Sequence, residues 1–106
     1  VFTTFAWTMN DIQPQIQAAC DGDWSQDSLL QMGERIWNLE RDFNLAAGIT
    51  GKDDTLPPRL LNEPCKTGGS KGMVAEIGKM LPEYYSLRGW TPEGVPTAAT
   101  RSRLGL

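Results

Sequence analysis

A chain of 106 residues is enough for one domain, and its ten basic and thirteen acidic residues, mixed to a net charge of −3, form no basic run on which a nucleic acid could lie. The longest uncharged stretch, Val1 to Asn10, is too short for a bilayer, which needs about 20 apolar residues, and it lacks the basic start of a signal peptide. There is no histidine, so the commonest general base near neutral pH and the commonest metal ligand are missing, and Cys20 and Cys65 cannot make a thiolate metal site by themselves.

The chain opens on Val1-Phe2-Thr3-Thr4-Phe5-Ala6-Trp7, an apolar run with no cap before it. Natural N-termini are usually polar and frayed, so this one reads as the interior of a longer polypeptide. A first helix is expected over Asp11 to Cys20, with Asn10 as N-cap and Pro14 in or near the first turn. Ile12, Ile16, Ala19 and Cys20 give it one apolar face, and Gly22 can end it in the left-handed conformation.

A second helix is the strongest prediction. Ser25 caps it, Asp27 sits in its first turn, and it runs to about Ala47 before Gly48. Leu29, Met32, Ile36, Leu39 and Phe43 recur at spacings of three and four, which predicts the core-facing side. Leu30 and Trp37 widen that arc, and Glu40 falls near its middle. Glu34, Arg35, Asn38, Arg41 and Asp42 lie opposite. A carboxylate on a core face must be paired, because an isolated buried charge costs several kcal/mol. Arg59 is the first candidate partner for Glu40, in a structural ion pair.

Gly48 to Arg59 reads as an ordered loop, punctuated by Gly51, Pro57 and Pro58, with Asp53 and Asp54 suited to turns and caps. A short helical turn over Arg59 to Asn62 comes next, then a loop from Glu63 to Gly72. A third helix covers Glu76 to Arg88, with Pro82 shortening or kinking it so that its start falls as late as Lys79, and Gly89 closing it. Thr91 to Pro96 is a turn. A final short helix from Thr97 to Leu104 ends at Gly105. The fold class is all-α: an irregular domain of about four helices with long ordered loops. Loops of about a dozen irregular residues need support that a compact domain seldom provides.

The chain's own inventory for chemistry is thin. Serine and threonine without histidine make no triad. Gly68-Gly69-Ser70-Lys71-Gly72 lacks the spacing of a phosphate-binding loop and a strand before it. Asp53 and Asp54 are too few for a calcium loop. The two cysteines match no redox spacing and read as packing residues with reduced thiols. Four tryptophans are core anchors or surfaces meant to be covered. A free-standing helical interaction module with no redox role is one reading of such a chain.

Three blocks carry a stronger signal. Gly33-Glu34-Arg35-Ile36-Trp37-Asn38-Leu39-Glu40-Arg41 with Phe43-Asn44 is the first. Gly48-Ile49-Thr50, Lys52-Asp53-Asp54-Thr55-Leu56-Pro57 and Arg59-Leu60-Leu61 form the second. Tyr84-Tyr85, Arg88-Gly89-Trp90, Gly94-Val95-Pro96-Thr97 and Leu104-Gly105-Leu106 form the third. Together they closely resemble the last domain of the tungsten-dependent aldehyde:ferredoxin oxidoreductases, in order and along nearly the whole chain.

The resemblance implies that residues 1–106 are a C-terminal helical domain, a fragment of an enzyme that interconverts aldehydes and carboxylic acids. Such an enzyme carries tungsten on two pyranopterins and a [4Fe–4S] cluster that passes electrons to ferredoxin or a similar carrier. The metal does the chemistry and the protein supplies position and electrostatics. In the family, three cluster cysteines and the proposed catalytic Glu and His lie upstream. The fourth cysteine closes a D-x-x-G-x-C motif directly before the segment that Val1-Phe2-Thr3 resembles. Val1, Phe2 and Thr3 are therefore expected beside the cluster by adjacency, whereas no catalytic or metal-ligating residue carries over, and Cys20 and Cys65 do not match the ligand position. The fragment alone is expected to hold no cofactor and to be inactive. Glu34, Arg35, Asn38, Glu40 and Arg41 are expected to fix the register of this domain against its neighbours. The implied partners are the upstream domains and the electron carrier, with a homo-oligomer or further subunits as an added option, in the cytoplasm. The tungsten subunit of an aryl-CoA-reducing complex is a related alternative.

Overall fold

The computed structural model describes residues 7–106. Five helices run in order: α1 (Met9–Ala19), α2 (Gln26–Ala46), α3 (Pro58–Asn62), α4 (Ile77–Arg88) and α5 (Ala98–Leu104). Among the described residues there is no strand, only one antiparallel bridge between Trp90 and Pro96. The all-α expectation holds, with the short turn over 58–62 as a helix in its own right.

α1 begins earlier than expected. Asp11 rather than Asn10 organises its start, accepting from the Thr8 backbone N–H and the Thr8 hydroxyl, both at 2.7 Å. Thr8 is thus the N-cap, and Pro14 lies a full turn inside the helix. The expected apolar face does not form a core, since no residue of α1 is buried and Ala19 and Cys20 are exposed. Polar side chains tie α1 to the 20–25 loop instead. Gln17 donates to the Gly22 carbonyl at 2.9 Å and accepts from the Trp24 N–H at 2.8 Å, and Gln13 donates to the Trp24 carbonyl. The helix ends at an extended Cys20, so Gly22, with φ +120°, shapes the loop rather than the cap.

α2 starts as its sequence dictates, with Ser25 Oγ accepting from the Ser28 N–H at 3.2 Å. Its far end shows one of three matching terminations. Ile49 N–H donates to the Asn44 carbonyl at 2.9 Å and Gly48 N–H to that of Leu45, around a left-handed Gly48. Trp90 and Leu106 make the same six-residue closure behind Gly89 and Gly105. Orphan carbonyls are satisfied this way without polar side chains. α4 runs unbroken through Pro82 from Ile77. The proline gives up only the bond its N–H would have made to Gly78, so the start at Lys79 is not needed.

The buried side of α2 is the opposite of the expected one. Glu34, Asn38 and Arg41 face the core, and Asn38 and Arg41 are the buried residues of the helix. Leu30, Met32, Ile36, Trp37, Leu39 and Phe43 are exposed, Phe43 by 73%. Binary patterning fails here because it assumes that the largest apolar arc meets its partner within the chain. The core is small: Tyr85, Trp90 and Leu104, with Thr100 and Pro96, gathered where the middle of α2, the end of α4, the 90–96 turn and α5 converge. The Cα radius of gyration is 17.8 Å, against roughly 13 Å for a compact domain of this length.

Candidate functional site

One cluster dominates. Arg41 is 7% exposed and donates from all three guanidinium nitrogens. Nη1 and Nη2 donate to the two Asp54 oxygens at 2.9 and 2.6 Å, and Nε donates to the Gly94 carbonyl at 2.8 Å. The Tyr85 hydroxyl donates to the same carboxylate. The Trp90 ring lies 5.0 Å from the guanidinium carbon, and its indole N–H donates to Asn38 Oδ1 at 2.8 Å. Asn38, fully buried, donates in turn to the Glu34 carbonyl at 2.8 Å. Among the described residues no buried side-chain nitrogen or oxygen lacks a partner. The backbone is shaped to fit: Gly94 has φ +76°, and a Cβ there would run into Arg41 Nη2 and the Tyr85 ring.

The electrostatics follow from this geometry. Burial pushes the Asp54 carboxyl upward, but hydrogen bonds from Arg41 and Tyr85 and the guanidinium charge outweigh it and hold the group below its ordinary value. Burial, then the adjacent carboxylate, pushes the Tyr85 phenol up to about 12. The hydrogen bond to Asp54 raises Arg41. Asp54 is therefore held as a carboxylate that accepts three hydrogen bonds. A general base works best with a pKa near the operating pH, and Asp54, held below its ordinary value by Arg41 and Tyr85, is poorly suited to that role. The cluster is a fixed joint.

A second set of bonds clamps α5 onto α2. Arg101 donates to both oxygens of Asp42 at 3.1 and 2.6 Å, Arg103 pairs with Glu34, and Arg35 reaches the Gly105 carbonyl at 3.4 Å. Of the five side chains expected to fix the register against neighbouring domains, four are thus used inside the chain. Glu40 remains. It does not pair with Arg59, which lies in α3 and faces its own neighbour Glu63 at 3.8 Å. Glu40 is exposed, so water solvates its charge and no partner within the chain is required. It lines an open pocket of about 440 Å³ with Trp37, Asn44, Asp53 and Tyr84, beside the joint. Asp53 caps a turn, accepting from the Thr50 N–H at 2.8 Å, as expected.

Val1, Phe2 and Thr3 lie outside the described residues. Cys20 and Cys65 are free thiols but exposed, not packing residues, because each sits on a connecting segment that nothing covers. Among the described residues no group of three or more His, Cys, Asp or Glu could hold a metal ion. The donors present do not fit a tungsten or iron–sulfur ligand set, and no redox step is assigned to them. No described helix is long and apolar enough to cross a membrane.

Sequence reasoning missed the joint as a unit. Its signal was present all the same: Asn38 and Arg41 stand in the first of the three family-like blocks, Asp54 in the second, and Tyr85, Trp90 and Gly94 in the third. Blocks far apart in the chain meet at one guanidinium.

A helical segment whose polar helix face is internally satisfied and whose apolar face is bare carries a surface suited to contact with further polypeptide. The family model for aldehyde ferredoxin oxidoreductase, domains 2 and 3, matches residues 1–106, and the chain belongs to that family. It is 48% identical, over its whole length, to the tungsten-containing aldehyde ferredoxin oxidoreductases of Pyrococcus horikoshii and Pyrococcus abyssi, and 44% identical to that of Pyrococcus furiosus. It spans 18% of the length of each of these relatives.

Proposed function

We propose that this chain is the C-terminal structural domain of an enzyme that interconverts aldehydes and carboxylic acids in the cytoplasm. Tungsten–bispyranopterin and a [4Fe–4S] cluster would serve that enzyme from the remaining polypeptide, with ferredoxin or a similar carrier taking the electrons. The observation that carries this reading is identity of 44–48% along the entire chain to enzymes named for tungsten, aldehyde and ferredoxin. The chain's own contribution is mechanical. The Arg41 joint and the α5 clamp fix α2 against α4, the 90–96 turn and α5, and Val1 to Thr3 would lie beside the cluster by adjacency to its cysteine.

The test is the full-length protein, expressed anaerobically with tungstate. It should contain tungsten and iron and reduce a viologen dye with an aldehyde as donor. Metal-replete protein that reduces an aryl thioester and ignores aldehydes would move the assignment to the aryl-CoA-reducing branch. Protein with neither metal would overturn both.

A further inference from the structure

We propose that the bare arc of α2 and the pocket beside it form an internal interface, covered by the polypeptide that makes up the rest of the relatives' length, and that Glu40 receives a basic side chain from it. The inference rests on the reading of the chain as one segment of a larger enzyme and adds which surface is used and what chemistry meets it. Three observations support it. First, Met32, Ile36, Leu39 and Phe43 form a continuous apolar ridge on one side of a 21-residue helix, and all four are exposed. Contiguous apolar patches of this kind mark interaction surfaces. Second, the chain exposes 8158 Å², where a folded monomer of 11.7 kDa exposes ~5,900 Å². The chain therefore leaves more surface open than a compact monomer of its mass. Third, more than four-fifths of each relative lies outside the matched segment, which supplies an occupant of sufficient size.

Charge specifies the chemistry of that occupant. The pocket lining brings Glu40, Asp53 and Asp54 together with Arg41, whose charge is spent on Asp54. Trp37 and Tyr84 stand on the same wall, and the chain's own Arg88 occupies them, 5.3 and 5.2 Å from their ring centroids. An acidic recess next to an apolar ridge suits a basic side chain flanked by aliphatic ones. Glu40 and Asn44 border both the ridge and the recess, so one partner surface covers both.

Hydroxyl-radical footprinting of the full-length protein tests this without any substitution. Met32, Trp37 and Phe43 should be modified at least 10-fold more slowly than side chains of their type in the unfolded protein, at every protein concentration. Modification at the unfolded rate overturns the interface even in an active, tungsten-loaded enzyme. Protection that vanishes on dilution to monomer assigns the ridge to a second copy and also overturns it. Glu40→Arg in the same protein should raise the rate of limited proteolysis between this segment and the remainder by about 10-fold, with Glu40→Gln intermediate. Glu40→Arg cleaved at the wild-type rate removes the basic partner. An aldehyde-inactive, metal-free protein with a protected ridge refutes the enzymatic assignment and leaves the interface standing.

Discussion

Replacing Asp54 by Asn would keep the shape of the joint and remove its only negative charge, leaving the guanidinium of Arg41 buried beside a neutral amide. Breaking a fully buried pair costs 3–5 kcal/mol as a rule, but Asp54 is 24% exposed and solvent screens part of that. We expect a loss of about 2 kcal/mol, read as roughly 30-fold faster amide exchange over Trp90 to Gly94 in the intact protein. The same carboxylate sets an acid limit. Its folded-state value lies below the ordinary 3.8, so its stabilisation is complete above that value and is lost as pH falls through the lower, folded one. Tyr85 sets an alkaline limit of the opposite sense. Its folded value, about 12, is above the ordinary 10.0, so its contribution is intact below pH 10 and disappears between 10 and 12. Tyr85→Phe should abolish the alkaline transition at the joint, measured by exchange against pH, and leave the acid one in place. None of these partnerships was legible in the sequence. Asp54 read as a turn residue and Arg41 as one of the charged residues fixing the register against neighbouring domains, because a bond across 13 positions, most of them loop, leaves no local pattern.

At the scale of the element, what is local was legible and what is mutual was not. Ser25, Gly48, Gly89 and Gly105 mark helix ends through bonds made within a few residues, and the structure places those ends as expected. The start of α1 was misplaced because Thr8 and Asn10 are both competent caps, and the choice falls to Asp11, which reaches only Thr8. The orientation of α2 depends on what lies opposite it, which no periodicity in α2 itself encodes. α5 shows how little a short helix can do alone. Seven residues are too few for a helix in water. It exists because Thr97 accepts from the Thr100 N–H at 3.2 Å, Thr100 Oγ1 donates to the Gly89 carbonyl at 2.7 Å, and Leu104 is 4% exposed against the core. Leu104→Ala should therefore cost about 2–3 kcal/mol, at the low end for a buried leucine because so small a core can partly collapse. Thr97→Ala should cost about 1 kcal/mol. Amide exchange across Ala98 to Leu104 separates the two, with the leucine variant approaching the rate of an unfolded peptide.

For the molecule as a whole, the division of labour on α2 can be measured on the 106-residue chain by itself. A side chain saturated within the chain keeps its bonds when neighbours are removed, whereas an apolar side chain without a partner has only water. If the 106-residue chain is produced alone, the Arg41 joint and the α5 clamp depend on nothing outside it, while Met32, Ile36, Leu39 and Phe43 face solvent. Apolar burial is the main favourable contribution to folding, at about 25 cal/mol per Å², and the few buried apolar side chains of this core provide little of it. The isolated chain should therefore be helical by circular dichroism, bind a hydrophobic dye and self-associate as its concentration rises. Ile36→Lys and Phe43→Lys together should suppress the dye signal by at least half without lowering helicity, because both positions lie away from the joint and lysine is a good helix former. Loss of helicity in that double variant would mean that the ridge packs within the chain. A dye signal unchanged by it would place the bare surface elsewhere, on Leu60, Met73 or Leu87, which are also exposed.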